Sequence, residues 1–428
     1  MDNPQQEKRK QKVSFGKLVV INAYWVGLSF MWNALHPLIL PAILIKLVPE
    51  AQKNTYLGLL TFVGLILAMI IQPISGTISD SWRSGWGRRR PLILIGSIFD
   101  LAFLAILGWV GGLAGVFIGY LGLQLSSNIA HGPLQGLLPD LVPEKQVGFA
   151  SGLKTFLDMS GLIVASLVAG NLLGPQNEHL SLVMLVVIAG IVLFGGITLI
   201  GSRERSSLDL RPSSRSNLLR DFLKIDLKAN RSFFWMIAQR FLFLIGIFGV
   251  QAFAQYYIRD VLQVPNAVKA TGDLMATLAV GLVLCALAGG WLTDKFGAKI
   301  MTIIAGVLTA TGCLLILLVK NIGMLTLFGG IVGAGMGIFL TANWALATRL
   351  APPAESGKFL GLTNIATAGS SALARLEGPA IDLLNAAAPG RFNGYRAIFI
   401  FAAICTLLSL LLLKFIDLPE NKSSDPAR

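Results

Sequence analysis

Residues 76–80 read GTISD and residues 290–294 read GWLTD, so one pattern of glycine, serine or threonine, and aspartate occurs twice in the chain. The second copy follows the first after 214 residues, which is half of the 428-residue length. A proline and two glycines within 143–152 recur 209 residues later, within 352–361. Two separate sets at nearly one offset indicate an internal duplication, so we predict a protein built from two related halves.

The composition places these halves in a membrane. Hydrophobic residues make up 54% of the chain and charged residues only 13%, with a mean hydropathy of +0.70. Soluble domains carry about 25% charged residues. The composition therefore excludes a water-soluble enzyme, a disordered chain and a nucleic-acid-binding protein, in spite of the net charge of +13. The three cysteines lie in separate apolar runs without paired spacing, so we expect no disulfide, metal site or cofactor.

Apolar stretches of the length that crosses a bilayer, about 20 residues, recur twelve times. We predict an all-α polytopic membrane protein with an N-terminal six-helix half at 18–201 and a C-terminal six-helix half at 233–416. A basic leader at 1–17, a linker at 202–232 and a tail at 417–428 complete the chain. The predicted spans are about 18–41, 55–78, 91–112, 114–138, 149–172, 181–201, 233–256, 271–292, 300–319, 322–348, 359–384 and 395–416.

The basic residues of the predicted loops orient the chain. Of the lysines and arginines, 25 fall on the side that holds both termini, 7 on the opposite side and 3 within the spans. Cytoplasmic loops are enriched in these residues, so we expect both termini in the cytoplasm and the chain in the plasma (inner) membrane. The end of the linker predicts an amphipathic helix on the inner membrane surface, formed around Leu218, Leu219, Phe222, Leu223 and Leu227.

Three segments carry a resemblance to a known family. They read WNALHPLILP at 32–41, IIQPISGTISDSWRSGWGRRRPLIL at 70–94 and AHGPLQGLLPDLVP at 130–143. The chain resembles the sucrose/proton symporters and the glycoside-pentoside-hexuronide cation symporters of the major facilitator superfamily, most strongly over about 25–145. The resemblance implies the major facilitator fold, with a small solute held between the halves and moved by alternating access, and a proton gradient as the energy source.

Two positions depart from the sucrose carriers. Gln135 stands where those carriers have an arginine in the fourth helix, and Gly85 stands where they usually have another. The second span also lacks the paired aspartates of sodium-coupled members. These departures argue against sucrose as the substrate and against a sodium site.

Polar side chains follow several predicted spans at helical spacing, for example Asn33 and His36 in the first span or Gln124 and Asn128 in the fourth. Such stripes face the interior of a helix bundle because polar groups are costly against lipid. Amides bind hydroxyl groups and indole rings cover the apolar face of a sugar; the alternative is bonding between helices and aromatic packing. The predicted substrate-binding residues are Trp25, Asn33, His36, Gln124, Asn128, His131, Gln135, Gln251, Gln255, Asn364 and Arg375.

Three ionisable residues inside the spans are candidates for proton coupling: Asp100, Lys154 and Asp158. Asp100 lies in the middle of the third span without a partner on its own helix. Lys154 and Asp158 are one helical turn apart, so a structural pair that neutralises both charges is the alternative to a proton relay.

The repeated glycine–aspartate pattern has a mechanical interpretation. Glycine lets two helices approach closely, and an aspartate at a helix end can pair with a nearby arginine and hold one access state. The alternative is a set of loop charges that only orients the chain. The predicted inner-gate latch consists of Gly76, Asp80, Arg88, Arg89, Arg90, Asp140, Gly290 and Asp294.

These observations favour a secondary transporter of a small polar solute, a sugar or glycoside with proton coupling. We expect a monomer whose partners are the solute and the lipid bilayer, with no nucleic acid, no metal and no catalytic residues. The alternatives are an exporter or a carrier of another amphiphile, such as a drug or a pigment, and outside transport a membrane-embedded enzyme or a sensor.

Overall fold

A computed structural model describes residues 12–208, 229–352 and 356–417. Within these ranges the chain is helical without strands, which confirms the predicted fold class, and eleven helices are long and apolar enough to cross a membrane. The predicted linker helix around 218–227 lies outside the described residues. The helices are α1 Phe15–Leu47, α2 Lys53–Asp80, α3 Arg90–Trp109, α4 Gly112–Leu141, α5 Glu144–Leu172, α6 Leu180–Gly201, α7 Arg231–Asp260, α8 Ala267–Phe296, α9 Ala298–Ile316, α10 Ile322–Leu350, α11 Ser356–Ala374, α12 Glu377–Ala387 and α13 Asn393–Leu411.

The outward faces of the helices are apolar. On α2, Ile70, Ile74 and Ile78 follow one another at one-turn spacing, and each is about half exposed. A row of exposed apolar side chains is unfavourable in water, whereas helices with such faces are the structures that lipid accepts. The chain is therefore a multi-pass membrane protein.

The helices group into two compact units. Unit 1 consists of Met1–Ser214 with Ala252–Ala276, and unit 2 of Arg215–Gln251 with Thr277–Arg428. Unit 1 thus contains α1 to α6 and also the end of α7 and the start of α8, which the sequence places in the C-terminal half. The side chains that join the end of α7 to α1 and α2 explain this grouping and are described below.

In unit 1, α1 packs against α5 and α6, and α4 packs against α2 and α3. The contact between α2 and α4 needs a glycine at Gly132. A methyl group there would overlap the Gln72 carbonyl oxygen and would lie 2.7 Å from the backbone nitrogen of Gly76. The two backbones can touch because neither glycine has a side chain.

In unit 2, α9 packs against α10 and α13, and α12 packs against α13. The ends of several helices meet in an apolar core around Phe233, Met236, Leu346 and Phe359, all buried. The rings of Phe233 and Phe359 meet edge to face with their centres 4.9 Å apart. Such a core fixes the base of α7 against α10 and α11.

α1 is α-helical except at Leu35–Ile39, where it widens into one π-helical turn. There the amide of Leu40 bonds to the carbonyl of Leu35, five residues earlier instead of four. Pro37 lies within this turn and has no amide proton, so the regular α pattern lacks a donor at that position. A π turn inside a transmembrane helix often marks a functional site.

The carbonyl groups around the π turn are bonded by side chains of α7. The Tyr256 hydroxyl donates to the Pro41 carbonyl at 3.0 Å. The Gln255 amide, with its nitrogen turned toward α1, donates to the Pro37 carbonyl at 2.7 Å. Pro41 lacks an amide proton and cannot serve the Pro37 carbonyl itself. The end of α7 is therefore attached to α1 through two backbone carbonyl groups, and Pro41 leaves the one at Pro37 without its α-helical donor.

The sequence predicts one continuous span over 359–384, and this prediction is wrong: α11 ends at Ala374 and α12 begins at Glu377. The cause is Pro379, which has no amide proton for the Arg375 carbonyl four residues earlier. The Gly378 amide bonds to that carbonyl instead, at 3.2 Å. The eleventh span is therefore made of two helices joined by a tight turn.

Candidate functional site

Three helices of unit 1 bring an indole, an imidazole and an ammonium group together. The Lys154 Nζ of α5 lies 3.6 Å from the centre of the Trp25 ring on α1, which is a cation–π contact. His131 of α4 meets the same ring edge-on, with ring centres 5.0 Å apart. We call Trp25, His131 and Lys154 the Trp25 cluster; it offers an aromatic face, a titratable ring and a positive charge.

Asp158 lies one turn beyond Lys154, but the two side chains form no ion pair within 4 Å, and neither has another salt bridge in the described part of the chain. The Ser29 hydroxyl of α1 donates to the Asp158 backbone carbonyl at 2.6 Å. Lys154 is directed to the Trp25 ring instead. The sequence alternative of a direct neutralising pair is therefore not the arrangement that the structure has.

A chain of hydrogen bonds links α1 and α4 beside this cluster. His36 Nε2 lies 3.0 Å from the Tyr120 hydroxyl, and Gln124 Nε2 donates to the same hydroxyl at 2.7 Å. Asn128 Nδ2 donates to the Gln124 carbonyl at 2.8 Å, and Trp32 stacks on the His36 ring. We call His36, Tyr120, Gln124 and Asn128 the Tyr120 network. Sequence reasoning missed Tyr120 because a single tyrosine in an apolar run has no distinctive spacing.

The other predicted binding residues of the first half lie outside these two groups. Asn33 donates to the Ser29 carbonyl of its own helix at 2.8 Å. Gln135 is exposed. Helical spacing therefore identifies neighbours along one helix but does not settle which of them meet residues of other helices.

Asp100 is completely buried within the packing of α3 and α4. The Ser126 hydroxyl donates to its Oδ1 at 2.5 Å, and its Oδ2 has no hydrogen-bond partner in the described residues. A second buried bond, 2.5 Å between the hydroxyls of Tyr24 and Ser97, joins α1 to α3. Asp100 is part of the interior of unit 1 and does not belong to the Trp25 cluster.

Unit 2 holds a polar cluster of its own around Arg240 of α7. The guanidinium donates from Nη1 to Asn343 Oδ1 of α10 at 2.7 Å and from Nε to the Thr367 hydroxyl of α11 at 3.0 Å. Asn343 Nδ2 donates to Gln239 Oε1 at 2.8 Å. Arg240 is buried and forms no salt bridge in the described residues. A buried positive charge held only by neutral acceptors is suited to an anionic group.

The remaining predicted binding residues of the second half do not join the Arg240 cluster. Gln251 is half-buried, Asn364 is exposed, and Arg375 is buried at the turn between α11 and α12. Gln255 belongs to unit 1, where it faces α1. Sequence reasoning passed over Asn343 of α10, which binds Arg240 of α7, and over Gln239, which is next to Arg240 on α7 and binds Asn343.

The predicted inner-gate latch of the first half forms a compact ionic network. Arg89 pairs with Asp80 at 2.5 Å through Nη2 and with Asp140 at 2.9 Å through Nε. Arg88 pairs with the same Asp140 at 2.5 Å. Burial alone would lower the pKa of Arg88, but its hydrogen bonds to Asp140 and the charge of that carboxylate raise the pKa above its ordinary value. The latch thus ties the end of α2 to the end of α4.

Glu204, just after α6, completes this network and was not predicted. Its carboxylate accepts the backbone N–H groups of Arg89 and Arg90 at 2.9–3.2 Å and so caps the N-terminus of α3. The Arg90 guanidinium lies over the Trp86 ring and donates to the Leu199 carbonyl. Burial raises the pKa of Glu204 above its ordinary value, although the two backbone bonds act in the opposite direction. We call Asp80, Arg88, Arg89, Asp140 and Glu204 the inner network.

A second ionic network joins the end of α7 to the start of α2. The buried side chains of Lys53 and Asp260 pair at 2.5 Å, and Arg259 pairs with Glu50 at 2.9 Å. Lys53 also pairs with Glu50. We call these four residues the outer network. The sequence analysis did not predict this network. The sequence does contain a signal for it, because opposite charges lie at the ends of two predicted spans on the same side of the membrane.

Comparison of the sequence with known protein families assigns the chain to one of them. The sequence model of the MFS/sugar transport protein family matches residues 51–358, well over half of the chain. The chain belongs to this family. The assignment confirms the predicted superfamily and the prediction that the protein is not an enzyme, since the family and its structural neighbours are transporters.

Three similar proteins show how far the likeness of this MFS transporter extends. A glucuronide carrier protein homologue of Escherichia coli is 26% identical over 305 residues, which cover 67% of this chain and 64% of that protein. The multi-drug resistance efflux pump PmrA of Streptococcus pneumoniae is 23% identical over 415 residues, 90% of this chain and 93% of the pump. The crystal structure of a D-xylose-proton symporter has the same fold, with a TM-score of 0.72 at 16% identity over 96% of this chain and 99% of that one.

Proposed function

We propose that this chain is a secondary active transporter that imports a sugar or glycoside together with protons by alternating access. It acts as a monomer in the plasma membrane with both termini in the cytoplasm. The observation that carries the proposal is the Trp25 cluster, because an indole ring beside hydrogen-bonding groups is the surface that suits a sugar. The family and the E. coli relative named for glucuronide support the same class of substrate.

The charge of the candidate residues favours a sugar that carries a negative charge. Lys154 in unit 1 and Arg240 in unit 2 are cations without a salt bridge in the described residues. A carboxylate on the sugar would supply a negative charge and acceptors for the N–H groups of either cation. A glucuronide is therefore the first substrate to test, beside its neutral glucoside.

The test is uptake by purified protein in proteoliposomes. Labelled methyl glucuronide, methyl glucoside and sucrose are offered with and without an inward proton gradient. We expect the glucuronide to accumulate with the gradient and to leave again when a protonophore is added. If the sugar level inside the liposomes does not depend on the proton gradient, proton coupling is contradicted. If the folded protein moves none of the sugars, the substrate class is contradicted.

The Trp25 cluster is tested in the same assay with a matched pair of variants. Trp25→Ala removes the central ring and should lower the initial uptake rate about tenfold, since a buried aromatic contact with a ligand contributes on the order of 1.4 kcal/mol. Trp109→Ala removes an exposed ring at the end of α3 and should leave uptake unchanged. Equal rates in the two variants would remove the cluster from the transport site.

A second candidate function is export of an amphiphilic compound, because the likeness to the efflux pump extends over 90% of this chain. Everted membrane vesicles energised with a proton gradient would take up a cationic dye such as ethidium if the chain were an exporter. Dye uptake without any sugar transport would replace the first proposal. Sugar accumulation without dye uptake would exclude the second.

A further inference from the structure

The turn between α11 and α12 places a carboxylate inside unit 2 without a hydrogen-bond donor. Both carboxylate oxygens of Glu377 are buried, and neither has a partner in the described residues. The side chain lies against Gly249 of α7, where even a methyl group would overlap the carboxylate. The glycine therefore leaves the space that the carboxylate occupies.

A carboxylate in this position is unfavourable in its charged form. Burial removes the water that stabilises the negative charge, and no N–H or O–H group of the described residues replaces it. The protonated acid carries no charge and loses much less on burial. The arrangement of unit 2 that the structure describes is therefore suited to a neutral Glu377.

The ionisable groups that interact with Glu377 come from two elements. Arg375, in the turn two residues earlier, is a cation that attracts the carboxylate, although the two form no ion pair within 4 Å. Cys405 of α13 contributes a thiol. α7 presents Gly249 and no acidic or basic residue within two turns of it. Among the described residues, Arg375 is thus an oppositely charged group toward which a deprotonated Glu377 can move.

We propose that Glu377 binds the proton that is coupled to transport, neutral in the arrangement described and paired with Arg375 after the proton leaves. The helix break supplies the freedom for this exchange, because residues in a turn are not fixed by the helical hydrogen-bond pattern. The inference rests on the proposed function, proton-coupled transport. It selects a carboxylate that differs from the sequence candidates Asp100 and Asp158.

Asp100 and Asp158 are less suited to this role for structural reasons. Asp100 already accepts a hydrogen bond from the Ser126 hydroxyl and lies in continuous helix packing. Asp158 lies on an unbroken α5, with its backbone carbonyl bonded to α1. Neither has an arginine within two residues along the chain.

The test compares proton-driven accumulation with exchange in proteoliposomes, using labelled methyl glucuronide as the probe. Glu377→Gln keeps the shape of the protonated acid, so we expect it to fold and to exchange the sugar across the membrane at the rate of the unmodified protein. Its accumulation under a proton gradient should be lost. Accumulation that persists in Glu377→Gln but disappears in Asp158→Asn or Asp100→Asn would overturn the proposal.

A second measurement does not need a transported sugar. Infrared spectra of the purified protein in lipid at neutral pH should contain the carbonyl band of a protonated carboxyl group. That band should be absent in Glu377→Gln and present in Asp158→Asn. An unchanged band in Glu377→Gln overturns the proposal. If the band is lost in Glu377→Gln but the protein transports no sugar, the proton site stands and the proposed substrate is wrong.

Discussion

The loop after α2 and the loop after α8 follow the same glycine–aspartate pattern and yet are built differently. Nine residues, 81–89, separate α2 from α3, and they include the arginines of the inner network. A single residue, Gly297, separates α8 from α9, with a positive φ of 88° that favours glycine. The short loop reverses the chain without providing any side chain for an ionic network.

The partner helices differ as well. α4 offers Asp140 to the first loop, whereas the residue at the repeat offset of 209 on α10 is Arg349. Asp294 and Arg349 carry opposite charges but form no ion pair in the described residues. The pattern thus occurs twice, and among the described residues only its first copy has an ionic network around it. In the described part of the chain, Gly290 and Asp294, predicted as latch residues, do not form contacts with an arginine side chain like those of Gly76 and Asp80.

Among substitutions in the two loops and their partner helices, Arg89→Ala should have the largest effect on the free energy of unfolding. Its guanidinium bonds to Asp80, to Asp140 and to the Ser79 hydroxyl, and its removal leaves two carboxylates without that cation. We expect the free energy of unfolding to fall by about 3 kcal/mol, the lower part of the range for a broken buried pair, since Asp80 is half exposed. Thermal unfolding of the purified protein measures the loss.

The control for that variant is Arg349→Ala on α10. Arg349 is exposed and forms no ion pair in the described ranges, so its removal should change stability by less than about 0.5 kcal/mol. Similar losses in both variants would mean that the contacts of Arg89 do not matter for stability.

The next difference should come from two glycines, Gly132 of α4, which packs against the first pattern at Gly76, and Gly290 of the second pattern. A methyl group from Gly132→Ala would overlap the backbone of α2 at Gln72 and should cost about 2 kcal/mol, because backbone atoms cannot move aside. Gly290→Ala would place its methyl group 3.5 Å from Thr341, an ordinary contact, and should be neutral. Melting temperatures of the two variants make the comparison; a harmless Gly132→Ala would show that α2 and α4 can separate.

The aspartates should give a smaller contrast. Asp80→Asn weakens the pairing with a buried Arg89 but leaves a hydrogen-bonding group, so we expect a loss of about 1 kcal/mol. Asp294→Asn removes a charge that has no partner in the described residues and should change nothing. If the inner network is a gate, only Asp80→Asn alters the uptake rate, and equal changes in both variants would argue for a general effect of loop charge.

The smallest effect should be the pH dependence that Glu204 contributes. Burial raises the pKa of Glu204 above 4.5, its ordinary value, so the folded protein holds this proton more tightly than the unfolded chain. This contribution to stability is present at low pH and is lost as the pH rises through the folded pKa. Glu204→Gln cannot ionise at this position. As the pH rises from 4.5, its melting temperature should therefore increase relative to that of the unmodified protein. If the melting temperature of Glu204→Gln instead decreases relative to that of the unmodified protein over this range, the predicted direction of the pH dependence is wrong.

The fold was predictable because it depends on properties that single residues carry. Hydropathy and span length predicted the helices. The repeat of 76–80 at 290–294 predicts two related halves, and their bounds stay a prediction. The break at Arg375 was missed although Pro379 was visible, because average hydropathy over about 20 residues does not change at one proline. The end of α7 grouped with unit 1 because of Tyr256 and Asp260, whose partners on α1 and α2 no local pattern reveals.

The candidate site was predictable only in part, for a related reason. Helical spacing grouped His36 with Asn33 on α1, but the bonds of the two side chains run in different directions, His36 to α4 and Asn33 back to its own helix. The cross-helix partners of Arg240 and of the backbone at Arg89, namely Asn343 and Glu204, are more than 100 residues away along the chain. Contacts of that kind are set by tertiary packing, which spacing along one helix does not contain.

The π turn at Leu35–Ile39 has a consequence for how the chain is aligned with its relatives. Such a turn holds one residue more than an α-helical turn, so the residue is absorbed locally and both flanking stretches keep the faces they would otherwise have. A relative whose first helix is α-helical throughout then matches this one through a one-residue gap inside the helix. An alignment that forbids gaps within helices would shift every position on one side of the turn, and it would pair His36 or Trp25 with residues that face another direction.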